Sequence, residues 1–176
     1  MKLCDILVHL DASPRARIWL DLAVALARQH RAHLTALHVI DVALPVMAMG
    51  DGGGAVIAEL MEQMRQTALK AGAQLQAAFQ EAIRREGIMG EWRQVEGSAA
   101  ELVALHGRYA DLLVLGQDDP ESDHAGLLEA VLFDSGRPVL TPQKPHERVQ
   151  VFPKIINVAV PSVQHSPIFG QLPEVH

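Results

Sequence analysis

Few side chains in this sequence stand where they could do chemistry, and Asp11 is the first of them. It ends an apolar run, Leu3–Leu10 (LCDILVHL), and precedes Ala12-Ser13-Pro14. A carboxylate there can accept a hydrogen bond from a ligand amine or hydroxyl, and it can equally hold a turn or a helix start, where Asp is common. Four further acids crowd one stretch, Asp118, Asp119, Glu121 and Asp123. They alternate loosely but lack the distal Glu of a calcium loop, so they read as a solvated acidic turn before a cation site. His9 and His38 fall late in neighbouring apolar runs and could approach one another. A metal would want a third ligand, which the sequence does not indicate, so both read as buried or hydrogen-bonded imidazoles. Cys4 comes early in the first run and reads as a small buried apolar residue, not a nucleophile. Gly50-Asp51-Gly52-Gly53-Gly54 lacks the Gly-Lys-Ser/Thr ending of a P-loop and reads as a flexible connection.

The elements that must position these residues alternate along the chain. Leu3–Leu10 reads as a buried strand, followed by a helix to about Arg31 with Ser13 as N-cap and Pro14 at its first position. Ile18, Leu22, Ala25 and Leu26 supply an apolar face for that helix. His33–Ile40 (HLTALHVI) is the second strand, and Asp41–Ala55 a loop. A long helix follows over Val56–Glu86, with Leu60, Met64, Ala68, Ala71, Leu75, Phe79 and Ile83 as its stripe. At about 45 Å it exceeds what a sheet needs, which predicts an overhang or a bend near Gly72. Glu91–Glu96 is a weaker strand. Ser98 and Glu101 form a capping box for the third helix. Asp111–Gly116 is a strand, His124–Asp134 the fourth helix, and Arg137–Thr141 the last strand.

This β-α-β-α-β-α-β-α-β order predicts an α/β fold: a doubly wound, mostly parallel five-stranded sheet with helices on both faces. Ligands of such sheets bind at the carboxyl ends of strands, at the switch point between the first and fourth. The residues just after Leu10 and Leu115 are therefore the ones to examine. Residues 1–142 form this unit, and 143–176 a tail with one strand-like run, Lys154–Val160. That run matches the first strand at an offset of 150, either a second repeat cut short or a chance apolar stretch.

Composition narrows the function classes. Hydrophobic residues make up 49% and aromatics only 4%, so aliphatic side chains must fill the core. The formal charge of −6, with no basic stripe, argues against nucleic acid as a partner. No apolar run approaches the roughly 20 residues of a membrane span, and the start of the chain enters a strand pattern with no signal peptide. With a lone cysteine besides, the expectation is a cytoplasmic protein.

Four segments in order, DILVHLDASPRA, HLTALHVID, ADLLVLG and SGRPVLTP, resemble the universal stress protein family over roughly residues 1–142. The β/α alternation predicts the strand order 3-2-1-4-5, and the resemblance implies a Rossmann-like unit and a homodimer formed near the last strand. Some members bind ATP and others do not. It places a vestigial nucleotide site at Asp11, Ala12, Val39, Leu115 and Gly116, with Asp11 on the adenine side. Nucleotide-binding members continue the fourth strand as G-x-x-G, followed further on by G-S or G-T, because glycines let backbone N–H groups approach phosphates. Here only Gly116 remains. Asp119 stands at the second glycine, Ala125-Gly126 replace the last pair, and the loop is shorter. The expectation is a non-catalytic stress-response protein, with no cofactor strongly indicated and ATP or AMP bound weakly; the alternative is an ATP or AMP binder with a remodelled loop. Enzyme readings rank last. The His-x-Gly-His and Ser-Gly-Gly-x-Asp-Ser signatures of adenylyl transfer are missing, as are the paired acids of a phospho-acceptor receiver, and no nucleophile–base pair is evident.

Overall fold

Parallel strands buried on both faces need near-continuous apolar sequence, and the first strand has it. In the computed structural model, which describes residues 3–41, 54–116 and 126–141, the elements are β1 (Asp5–His9), α1 (Ala16–His30), β2 (His33–Ile40), α2 (Gly54–Glu86), β3 (Gly90–Glu96), α3 (Ala99–Gly107), β4 (Leu112–Val114), α4 (Leu127–Ser135) and β5 (Val139–Leu140). All five strands are parallel and lie in the order β3-β2-β1-β4-β5, as expected. β1 is central: Val8 registers with Ala36 on one side and Val114 on the other. The Gly50–Gly53 stretch, the acids of 117–123 and the tail with Lys154–Val160 lie outside the described residues.

The two-residue period of a strand sorts its side chains to the two faces. Ile6, Val8, Leu34, Ala36, Leu112 and Val114 join α1 and α2 in one core. Leu7, Leu37, Val39, Leu113 and Leu115 join α3 and α4 in the other. The face that α1 buries is the expected one only in part. Leu26 is buried and Leu22 packs against the core as expected, and Ala16, Trp19, Leu20, Ala23, Val24 and Ala27 complete that face, whereas Ile18 is 52% exposed and Ala25 lies outside. The choice followed Trp19, whose indole is the largest apolar surface the helix can offer the sheet. Cys4 is also exposed rather than buried, because it precedes β1 and its neighbour Leu3 takes the inward position.

α2 runs unbroken for 33 residues, about 50 Å, against roughly 23 Å for β3. Phe79 and Ala82 in its C-terminal half are buried, while Val56, Leu60 and Met64 near its start are exposed. The helix therefore overhangs the sheet. Gly72 serves a close approach: a Cβ there would sit 2.6 Å from Gln94 Oε1 and 2.8 Å from His38 Cδ2.

Candidate functional site at the carboxyl end of the sheet

The chain leaves β1 through Leu10 and turns at once. Asp11 Oδ1 accepts from the Ser13 backbone N–H at 3.1 Å, a local Asx turn. α1 starts only at Ala16, whose N–H donates to the Ser13 carbonyl at 3.1 Å. Arg15 is the N-cap and makes no side-chain capping bond, so Ser13 and Pro14 shape the approach to the helix instead of opening it.

This turn forms one wall of an open cleft of about 240 Å³, with Asp11, Ala12, Ser13 and Arg17 on it. Helix α2 forms the other wall through Ala71, Gln74, Leu75 and Ala78, spaced to share one helix face. His38 ties the two walls together from below. Its Nδ1 lies 2.7 Å from the Leu10 carbonyl oxygen and its Nε2 3.3 Å from that of Ala68 on α2. The ring stacks on Trp92, centroid to centroid 6.0 Å. The histidine thus joins the end of β1 to the helix one turn before Ala71.

The other predicted site residues are not gathered into this cleft. Val39 and Leu115 are buried in the core beneath α3 and α4. The Leu115 N–H donates to the Leu140 carbonyl at 3.1 Å. Gly116 lies against the Trp19 indole, and a Cβ there would come within 2.8 Å of Nε1. His9 and His38 are both buried, but the strand period turns them to opposite faces, so they do not pair. Among the described residues no three potential metal ligands cluster.

Sequence reasoning missed Arg17, Gln74 and the part of His38. Ala71 and Leu75 were legible as a helical stripe but read as core. It also missed Asp41, at the end of β2, whose Oδ2 accepts from the Ala99 N–H at 2.9 Å. With Ser98 Oγ accepting from the Glu101 N–H at 3.5 Å, the start of α3 is capped by the protein's own oxygens. His106, on α3, is held below its ordinary value of 6.5 by burial first and then by the Arg93 guanidinium, with Glu91 opposing.

Residues 5–135 match the Universal stress protein family. The chain belongs to that family. No curated protein matches it in sequence. Among solved structures, it is similar to universal stress protein UspA from Lactobacillus plantarum, at 23% identity and a TM-score of 0.62, over 81% of this chain and 99% of that one. A universal stress protein family member from Burkholderia pseudomallei is 27% identical, with a TM-score of 0.54, over 78% and 94% of the two chains. The universal stress protein from Archaeoglobus fulgidus in complex with dAMP is 17% identical, with a TM-score of 0.53, over 80% and 98%. These relatives share the fold of this universal stress protein. No helix among its described residues is long and apolar enough to cross a membrane.

Proposed function

We propose that this universal stress protein is a non-catalytic stress-response protein, working as a homodimer, whose nucleotide-phosphate site has degenerated. The observation that carries the reading is Gly116 against Trp19. Of the glycines that mark the family's phosphate loop, it is the one retained, and packing alone accounts for it: the indole leaves no room for a Cβ. Gly116 is succeeded in sequence by Gln117-Asp118-Asp119-Pro120-Glu121, acids and a proline where backbone donors should face phosphate. The dAMP held by the Archaeoglobus relative supports an adenine nucleotide as a ligand of the architecture, but fold does not carry function by itself.

Refolded protein, freed of copurified nucleotide, is expected to bind ATP and AMP weakly or not at all by calorimetry. Micromolar affinity for either, on the order of −8 kcal/mol, would replace this reading with that of a nucleotide binder using a remodelled loop. The dimer is expected at β5, which pairs only with β4 among the described strands and so leaves an open edge. Sedimentation of the full chain tests this, and a monomer at tens of micromolar would remove the dimer from the proposal.

A further inference from the structure

Helix α2 carries its apolar stripe further than the sheet reaches. Val56, Leu60 and Met64 recur every four residues and lead into Leu75 and Phe79 on the same side of the helix. Leu75 and Phe79 belong to a core, whereas Val56 is 72%, Leu60 47% and Met64 38% exposed. The helix follows β2 and precedes the parallel β3, so its start stands at the carboxyl end of the sheet. Ala68 is level with His38, late in β2, and the stretch from there back to Val56 projects about 18 Å further. Contiguous apolar surface of this kind marks a docking site.

The course of the chain points to its occupant. β5 finishes at Leu140, at the same carboxyl end, and the sequence runs on through residues 142–176. There, in Lys154–Val160 (KIINVAV), Ile156, Val158 and Val160 fall at alternate positions, an apolar edge for an extended segment. The connecting residues 142–153 can span about 40 Å. The stripe lies about 14 Å across the sheet, three strand spacings from β5 to β2, and no more than about 18 Å beyond it. Met89, Tyr109 and Phe133 are also exposed, but they precede β3, β4 and β5 and so lie toward the opposite, amino end. Glu59, beside the stripe, has no ion pair among the described residues, and Lys154 supplies a matching cation.

We propose that Lys154–Val160 docks on the Val56–Leu60–Met64 stripe of its own chain, strapping the free half of α2 to the end of the sheet. The inference goes beyond the nucleotide reading and does not depend on it. A contact of seven residues is released in urea before the domain unfolds, so it leaves the domain's unfolding midpoint unmoved.

The test uses the full chain with Cys4→Ser, which removes the one native thiol. Leu60→Cys is combined with Ile156→Cys under copper–phenanthroline oxidation. A disulfide within one chain is expected, formed at least about fivefold faster than when Ile156→Cys is combined with Leu105→Cys. Leu105, on α3, is 48% exposed against 47% for Leu60, so exposure does not favour either pair. Trypsin supplies a second readout on the chain without added cysteines. Cleavage after Lys154 is expected to be about tenfold slower than cleavage after Arg148, and Leu60→Glu is expected to make the two rates equal. That substitution falls on an exposed site, so the melting temperature is expected to stay within about one degree. Equal linking of the 60–156 and 105–156 pairs, or no 60–156 disulfide within one chain, overturns the proposal. So does a rate after Lys154 that equals the rate after Arg148 in the parent, or that Leu60→Glu leaves slow. A 60–156 disulfide that joins two chains assigns the stripe to the tail of a second copy and overturns it as well.

Discussion

Phe79→Ala is expected to destabilise the domain by about 3–5 kcal/mol, the usual cost of removing a fully buried aromatic ring. Phe79 is 1% exposed, lies among the aliphatic residues under α1 and α2, and has its ring centroid 6.1 Å from that of Trp92. The same change to Ala at Leu60, nineteen residues earlier on the same helix, is expected to cost no more than about 0.5 kcal/mol, because Leu60 is 47% exposed on the overhang. Urea unfolding midpoints at constant slope measure both. Equal costs would mean that the start of α2 is covered by something the described residues do not show.

Gly90→Ala is expected to cost about 3 kcal/mol, at the upper end for overpacking, although Ala is ordinarily the milder residue in a strand. A Cβ on Gly90 would fall 2.6 Å from the Leu34 carbonyl oxygen and 3.0 Å from Phe79 Cζ. Leu34 is the residue that Gly90 faces across the β2–β3 pair, so the first contact is with backbone that cannot rotate away. Relief would require β3 to move from β2, breaking the pairing that runs from Leu34–Gly90 to Ile40–Glu96. The double variant with Phe79→Ala removes the ring contact but leaves the carbonyl contact, so the two costs should add incompletely. A melting temperature within about one degree of the parent would show that the strands separate without resistance, and would refute the close packing.

Both predictions rest on features that sequence shows unevenly. The alternation of apolar runs with helical stripes was enough for the fold class and the strand order, since a right-handed crossover and a switch point leave few arrangements for five parallel strands. Ser98 was legible as the cap of α3, and Ser135-Gly136 as the end of α4, because capping is chemistry between residues a few positions apart. The start of α1 was misread, though it too is local. Asp11 and Ser13 are both good partners for a free N–H, and which one acts depends on the direction in which β1 delivers the chain.

For the candidate site, the sequence by itself determined that an acid follows the first strand, that the fourth ends in one retained glycine, and that acids and a proline come after it. These are properties of the order of residues. Only the tertiary structure decided that Asp11 shares a cleft with Arg17 and Gln74, that Val39 and Leu115 belong to the core, and that Gly116 answers to Trp19. Asp11 and Gln74 are brought together by the packing of α2 over the sheet, which His38 and Gly72 fix through contacts at sequence distances of about thirty residues. A strand's period tells which residues share a face, but not which helix will cover that face or where along the helix it will touch. Those are settled by the fit of particular side chains, Trp19 and Phe79 above all, and that fit exists only once the core has closed.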